Sequence, residues 1–595
     1  MLQALMEYGA RLDSEPGFKT REVRWRIDLD QNGQLLGVIP LGDGKRGQML
    51  ARCPDMHGMT AVGEARKSHF LIESAKAAVL LFKQNEEQHE VASVQLRHNY
   101  FVSMLDRASG ELPQLAGLAA AVRSEAARNA IRDALAERKA KPTDWIAWRV
   151  GEFDPRTDAA VQEWWRRHRL EIEGRSAMDK HPEIGKRAGF GKMMCLLTGQ
   201  AIVPLTSHSA IGGLQNVGGD SNSKLVSFDK SAFASYGFKK STNAAMSAAA
   251  AQQYADGLND LIRNHSRKLA NALVVHWFKE QISQDDDPLA WLDGLESDEQ
   301  TAAAAQSKAR ALLDAIRQGQ RSDLGDNRYY AMTLSGASGR VMVRDWMEGS
   351  FEELVRNVEA WFNDLQIVAR GGEGLARDPK FMAVAGGLVR ELKDLPAPTA
   401  ATLWKSAVAR LPIPRPLMAQ ALARFRADLV DKDQPAFNHA RMGLIKAYFV
   451  RLTPEGDSTV TAYLNTDHPE PAYHCGRLLA VLAELQFAAL GDVGAGVVQR
   501  YYASTSQSPG LILGRLVRNA QNHLSKPDKP WLRSKFELPL MEIVSQLKDE
   551  FPRILDLEGQ GLFALGYYQQ LADMRAEARA KSKKTDTQTT TEGEV

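Results

Sequence analysis

The hydrophobic period changes along this chain, and that change limits its architecture more than any other feature. Up to about residue 365, stretches that alternate apolar and polar residues recur between helical ones; from residue 366 strand patterns nearly vanish and apolar residues return every three or four positions. Val23, Trp25, Ile27 and Leu29 alternate with Arg24, Arg26 and Asp28, Asn32-Gly33 supplies a turn, and residues 34–39 return as a second strand. Trp145–Val150 and the apolar run 273–278 read as further strands, and 329–334 with 340–346 as a hairpin across Gly336-Ala337-Ser338-Gly339, with Phe351–Leu365 as the helix packing on it. Helical spacing predicts helices over 69–82, over 118–139 and, in an Ala-rich segment, from about Asn243 to Leu269.

The C-terminal half reads as helices broken by Pro396, Pro398, Pro412, Pro414 and Pro416. Leu478, Leu482 and Leu485 share a face in 477–490, as do Leu513, Leu516, Val517, Ala520 and Leu524 in 511–524, and Phe536, Leu540, Ile543, Leu547 and Phe551 in 535–551. With a last helix over 557–580, these four amphipathic segments predict a compact bundle. The expected fold class is therefore α+β. A mixed α/β N-terminal domain with antiparallel hairpins (1–365) is followed by a helical connector (366–470), a four-helix bundle (471–580) and a polar, disordered tail (581–595). At 595 residues the chain exceeds what one hydrophobic core usually serves, which agrees with several domains.

Charge and cysteine usage narrow the class of protein. The net charge is +2, so only a local concentration of charge would point to nucleic acid. Cys53, Cys195 and Cys475 are too widely spaced for a metal knuckle and odd in number for a disulfide framework, which fits a reducing compartment. The opening MLQALMEYGARL is interrupted by Glu7 and Arg11 and does not read as a signal peptide, and no long charge-free apolar run occurs, so a cytoplasmic protein without a membrane partner is expected. The run 281–300 holds seven acidic residues and no Lys or Arg, which suits a solvated insertion.

The most unusual local sequence is the loop 207–220, SHSAIGGLQNVGGD, whose four glycines would let a backbone lie close to a ligand while Gln215 and Asn216 offer donors and acceptors. A phosphate-processing enzyme using this loop is one reading, but no Lys-Ser or Lys-Thr follows at Walker spacing and the pattern is not GxGxxG. A flexible surface loop is the simpler one. Residues 181–280 carry eleven Lys and Arg against six Asp and Glu, with Lys186, Arg187, Lys192, Lys224, Lys230, Lys239 and Lys240 flanking the loop. In 501–535, Arg515, Arg518, Lys526, Lys529, Arg533 and Lys535 are offset only by Asp528. Such clusters can neutralise phosphates or can be solvated helix faces. The thirteen His form no ligand pair with a carboxylate cluster, His208 has no Cys or Asp at a diagnostic spacing, and Asp549-Glu550 reads as a helix end; no catalytic residue, metal or cofactor is expected.

Several segments, in order, resemble one known family. MLQALMEYGARL, HFLIESAKAAVLLF, CLLTGQ leading into the Gly-rich loop, LVSFDKSAFASYG followed by Asn243-Ala244-Ala245, VVHWF, RYYAMTLSGASGRVMVRDW, MGLIKAYFVRL, GRLLAVLAELQ, RYYASTSQSPGLILGRLVRNAQNHLSK and GLFALGYYQQ are similar to the large subunit of type I-C CRISPR Cascade, the Csd-type family. The resemblance covers nearly the whole chain.

That resemblance implies a non-catalytic DNA-binding subunit of a crRNA-guided complex. Base pairing would read the target while this subunit reads the short adjacent motif, the PAM, on duplex DNA. It implies as partners the crRNA, target duplex and displaced strand, the backbone subunits, the crRNA 5′-end subunit, small subunits, and the helicase-nuclease that cuts DNA. Carried onto this chain, Gln215 and Asn216 would touch base edges, Gly212 and Gly213 would permit close approach, Lys224 would meet phosphate and Asn243 would belong to the same PAM site; Arg515, Arg518 and Lys526 would hold a strand by its phosphates. The loop departs from the family's pattern over Leu214-Gln215-Asn216-Val217-Gly218-Gly219, where Ala-Gln-Ser-Ser-Gly-Ala is usual, and Asp229 replaces an Asn. Gln215 is preserved in that comparison. The C-terminal bundle resembles the Cascade small subunit, and an internal start at Met442 or nearer Gly476 would release it as a separate protein.

Overall fold

The structure is a computed structural model that describes the chain except for residues 13, 14, 16, 44, 45, 57–67, 84, 85, 181–192, 203, 206, 235–237, 239, 294–304, 430–435, 454–457, 494, 548, 549 and 592–595. The described residues divide into two compact units, one comprising 1–215, 219–264 and 336–341, the other 216–218, 265–335 and 342–595. Antiparallel strand pairs and a long helical C-terminal part make the fold α+β.

In the first unit the alternating residues form the expected hairpin, β1 (Trp25–Leu29) and β2 (Leu35–Pro40), paired antiparallel. Its turn is wider than two residues. The Asp30 carboxylate accepts the N–H of Asn32 at 2.9 Å and of Gln34 at 2.7 Å, and Gly33 takes φ +84°, a left-handed value that glycine adopts without strain. β3 (Glu73–Ser74) and β4 (Trp145–Val150) complete a sheet of order β2-β1-β4-β3, in which β1 and β4 run parallel. The strands Phe18–Val23 and Gln48–Pro54 form a separate antiparallel ribbon.

Two helices predicted as continuous are shorter. Within 69–82 only Ala75–Val79 is α-helical. Leu71 and Leu80 have left-handed φ, and buried Glu73 accepts from Ser68 Oγ and from the His69 and Ser74 N–H groups, so backbone donors that a helix would use are taken by a carboxylate. The segment 118–139 is broken at Ser124, whose hydroxyl caps the helix Glu125–Glu137 by accepting the Ala127 N–H at 3.3 Å.

The N-terminal helix α1 (Leu2–Gly9) crosses α2 (Ala248–Asn264) at very short range. A Cβ on Gly9 would lie 2.0 Å from the Gln253 carbonyl oxygen, and one on Gly257 would lie 2.5 Å from that of Leu5. Tyr8 donates to Asp260 at 2.9 Å across the same crossing. The Ala-rich helix therefore begins later and ends earlier than 243–269, because Ser266–Leu269 turns back as strand β5.

In the second unit β5 pairs with β6 (Ala272–Phe278), which pairs with β7 (Arg328–Ala337), and β8 (Arg340–Ser350) lies at the edge. Ser338 and Gly339, at φ +44° and +78°, form the hairpin turn. The acidic run is solvated only in part: Asp287 binds His276 at 2.8 Å, and Leu289 and Leu292 of the helix Pro288–Asp293 are fully buried, while 294–300 lie outside the described residues. Helix α3 (Ala305–Arg317) packs against α4 (Phe351–Leu365), whose N-terminus is capped by Ser350.

Further helices include α5 (Ala397–Val408), α6 (His439–Leu452), α7 (Pro471–Leu490), α8 (Pro509–Leu524), α9 (Trp531–Gln546) and α10 (Leu557–Thr591), with Val497–Thr505 as a short helix not foreseen between α7 and α8. One hydrophobic core runs from Leu269 to Ala572. Within it α4 and α6 share their buried faces: a Cβ on Gly443 would lie 2.4 Å from the Leu365 carbonyl oxygen. The last helix, α10, runs on to Thr591 as an extension of its anchored part that needs no new nucleus.

Candidate functional site

The Gly-rich loop is held from one side by α2. Gly212 donates its N–H to Asn259 Oδ1 at 2.8 Å, while Asn259 Nδ2 donates to the Ala210 carbonyl at 3.2 Å. Ser209 donates to Gln252 Oε1 at 3.3 Å, and His208 Nδ1 lies 2.6 Å from the Tyr254 hydroxyl. Gln252 and Asn259 are two helical turns apart on the same side of α2, so one face carries these contacts.

His208 is buried, and its Nε2 has no partner. Burial first, and the Lys224 charge second, push its pKa down to about 4, so the ring is neutral near pH 7. It packs and positions the loop. Among the described residues no group of three or more His, Cys, Asp or Glu side chains is arranged to hold a metal.

The glycines answer mainly to the loop's own packing. Gly213 has φ +80°, and a Cβ there would sit 2.5 Å from Ile262 Cγ2 on α2; a Cβ on Gly219 would sit 2.6 Å from that of Leu214. Gly212 has room, since its Cβ would meet only Asn259 Oδ1 at 3.8 Å. Gln215 and Asn216 begin a 3-10 turn, Gln215–Val217; both are exposed, and neither side chain makes a hydrogen bond.

Lys224 is fixed at both backbone and side chain. Its N–H donates to the Gly339 carbonyl, its carbonyl accepts the Val341 N–H, both at 3.0 Å, and its ammonium donates to Ser207 Oγ at 2.5 Å. The same bridge sets Arg340, exposed at the hairpin tip, beside Lys224. Asp220 faces this tip, 3.4 Å from where a Gly339 Cβ would stand, and its carboxylate is occupied by the Asn222 N–H and the Ser223 hydroxyl.

The sequence reading missed Arg340, since its 116-residue separation from Lys224 leaves no local signal. It also missed Asn259, an amide seven residues after Gln252 on the same helix face, which was a readable cue. Asn243 donates to the Lys240 carbonyl at 2.9 Å and so closes its own 3-10 turn. Lys230 and Lys240 are exposed, whereas Lys186, Arg187, Lys192 and Lys239 lie outside the described residues.

The C-terminal basic segment divides by role. Arg515 and Arg518 lie one turn apart on the exposed side of α8 with no ion pair. Lys526 donates to the Ala489 carbonyl at 3.1 Å, and Lys529 donates to those of Ala488 and Ala489, so both cap the C-terminal end of α7, where unpaired carbonyls and the helix dipole favour a cation. Arg533 pairs with Glu537 at 3.0 Å, and Lys535 lies over the Phe536 ring. The expected phosphate role of Lys526 thus competes with a structural one.

A family model described as CRISPR-associated protein (Cas_Csd1) matches residues 3–575. The chain belongs to the Cas_Csd1 family. Cas_Csd1 is the large subunit of type I-C Cascade, and its match takes in the Gly-rich loop, α2, the hairpin tip and the basic segment alike. No curated protein matches the chain. Among the described residues of this Cas_Csd1 chain, no helix is long and apolar enough to cross a membrane.

Proposed function

We propose that this Cascade large subunit reads the PAM on duplex DNA through the loop 207–220, without catalysing a reaction itself. The observation that carries the reading is Gln215. It is an exposed amide with no intramolecular hydrogen bond, at the end of a loop whose backbone is braced by Asn259 and which is flanked by the cations Lys224 and Arg340. An amide can donate and accept at once, which suits the minor-groove edges of base pairs, while fixed cations hold the backbone in register. Gly212 has the open space for close approach; Gly213 serves the loop's shape. Asn216 shares the exposed turn, and Asn243 supports a neighbouring one.

The same reading assigns Arg515 and Arg518 to phosphates of the displaced strand, and gives the complex its crRNA, backbone, 5′-end and small subunits and a recruited helicase-nuclease as partners in the cytoplasm. Cleavage belongs to that recruited enzyme.

The test is Gln215→Ala in an assembled complex, titrated on duplexes that differ only at the PAM and on a duplex already opened as a bubble. Loss of one base contact should cost about 1–3 kcal/mol on the correct PAM and little on a wrong one or on the bubble. An equal loss on all three would reassign Gln215 to loop structure.

A further inference from the structure

One face of the second unit's sheet brings aromatic rings and cations together. Trp277 on β6 is the cross-strand partner of Tyr330 on β7, with their rings stacked at 5.3 Å, and the Trp346 ring of β8 stacks on Tyr330 at 5.9 Å. Trp277 and Trp346 close the group at 5.7 Å. Trp277 is buried, whereas Tyr330 and Trp346 keep part of their surface exposed.

The next row of the same face is cationic. Lys279 donates its N–H to the Arg328 carbonyl at 2.8 Å, which carries the β6–β7 ladder one pair beyond Phe278 and Tyr329. Because side chains alternate along a strand, Lys279 and Arg328 project on the side of Trp277 and Tyr330 and stand opposite one another. Both are exposed, and neither side chain makes a hydrogen bond or ion pair. Glu348, exposed two residues beyond Trp346, pairs with neither and leaves the row net positive. Stacked rings across strands are accounted for by sheet stability, but like charges placed directly opposite work against it.

We infer that this sheet face binds a single-stranded nucleic acid, with a base stacking on the Tyr330 and Trp346 rings and the neighbouring phosphates meeting Lys279 and Arg328. The two rows lie two residues apart along each strand, roughly 7 Å, so a nucleotide can set its base on one and its phosphate on the other. A single strand fits better than a duplex, whose base faces are stacked on one another, and every base offers a ring face, so the site is indifferent to sequence. An apolar protein segment would cover the rings and leave the two cations unanswered. The site uses none of the residues assigned above to the PAM or to the displaced strand and rests on neither assignment.

The experiment uses the full chain and three fluorescein-labelled probes of equal length, an oligothymidylate, an oligouridylate and an abasic DNA strand, read by anisotropy over a salt series. Lys279→Gln with Arg328→Gln should lower the log-log salt slope by about 1.4 on every probe, two phosphates at roughly 0.7 each. The same variant should keep or raise the thermal midpoint, since it removes a like-charged pair, so a loss of binding cannot be charged to misfolding. Tyr330→Ala should weaken both base-bearing strands at least about fivefold and leave the abasic strand within about twofold, while Tyr330→Phe restores binding. Whichever base-bearing strand binds more tightly identifies the ligand as DNA or RNA. Unchanged affinity and slope in the charge variant overturn the inference, and if that variant also fails to enter the assembled complex the face belongs to a protein partner. An equal loss on abasic and base-bearing strands in Tyr330→Ala overturns it too, by reducing the rings to sheet packing. Because no probe carries a PAM, a failure of Gln215 to discriminate leaves this result untouched, and the reverse holds as well.

Discussion

Asn259→Ala tests whether the Gly-rich loop is held in place by the helix beneath it. The substitution removes an acceptor 2.8 Å from the Gly212 nitrogen and a donor 3.2 Å from the Ala210 oxygen, with no side chain nearby able to replace both. A net hydrogen bond is worth about 1 kcal/mol and an N–H left unsatisfied costs up to about 3, so local opening should become easier by about 1.5–3 kcal/mol. That corresponds to roughly 10- to 150-fold in the opening equilibrium. A global unfolding curve is the wrong assay, since a chain of two units need not unfold in one step. Hydrogen exchange read on a peptide spanning 207–214 reports the opening directly. Gln252→Ala is the control, because Ser209 reaches Gln252 only at 3.3 Å and the expected change is under about threefold. If exchange at Gly212 stays within twofold of wild type, the loop is held by something other than Asn259 and the bracing argument fails.

The two halves of the basic segment should respond differently. Arg515→Ala with Arg518→Ala should lower the salt slope of strand binding by about 1.4 and leave the thermal midpoint unchanged, whereas Lys526→Ala should lower the midpoint by removing a helix cap and leave the slope nearly intact. His208 gives a pH signature. Its folded pKa of about 4 lies below the 6.5 of a free imidazole, so the unfolded chain binds the extra proton first; stability is full above pH 6.5 and falls as pH drops toward 4, by on the order of 3 kcal/mol. His208→Gln should flatten that loss in hydrogen exchange of 207–214 measured from pH 7 to 4, and an equally steep loss in the variant would move the titration to another group.

Much of the fold was legible because it depends on local pattern. Period-two alternation placed β1, the Asn32-Gly33 turn placed β2, the run 145–150 is β4, and α4 spans the expected Phe351–Leu365. The errors fall where a distant partner overrides propensity. Residues 69–82 carry helical spacing, yet Glu73 gathers Ser68, His69 and Ser74 and is met by Arg97 from a separate helix, which no spacing rule contains. The Leu365 carbonyl packed on Gly443 likewise joins segments 78 residues apart, which no local pattern announces. At the site, the loop and its unpaired Gln215 could be picked out by composition, whereas the Lys224–Arg340 bridge arises only when a hairpin tip reaches the loop. The role of Lys526 was hidden too, because a lysine that caps a helix and one that binds phosphate look alike until the Ala489 carbonyl is located.

The crossing of α7 and α10 bears on what a product of an internal start would expose. A Cβ on Gly476 would lie 2.0 Å from the Phe563 carbonyl oxygen and one on Gly566 would lie 2.1 Å from that of Tyr473, so the two helices touch backbone to backbone through glycines on both sides. Tyr473 then donates to Gln569 at 2.5 Å, Gln569 reaches the Thr461 carbonyl, and Tyr568 reaches that of Val368. A ribosome starting at Gly476 would omit Tyr473 and Thr461 and leave one wall of the crossing bare. Starting at Met442 would keep both, yet it would begin inside α6, where Gly443 packs against the Leu365 carbonyl, which the shorter product lacks. Either short product would therefore emerge with a backbone-close apolar seam uncovered, and its solubility would depend on how soon another surface closed over it.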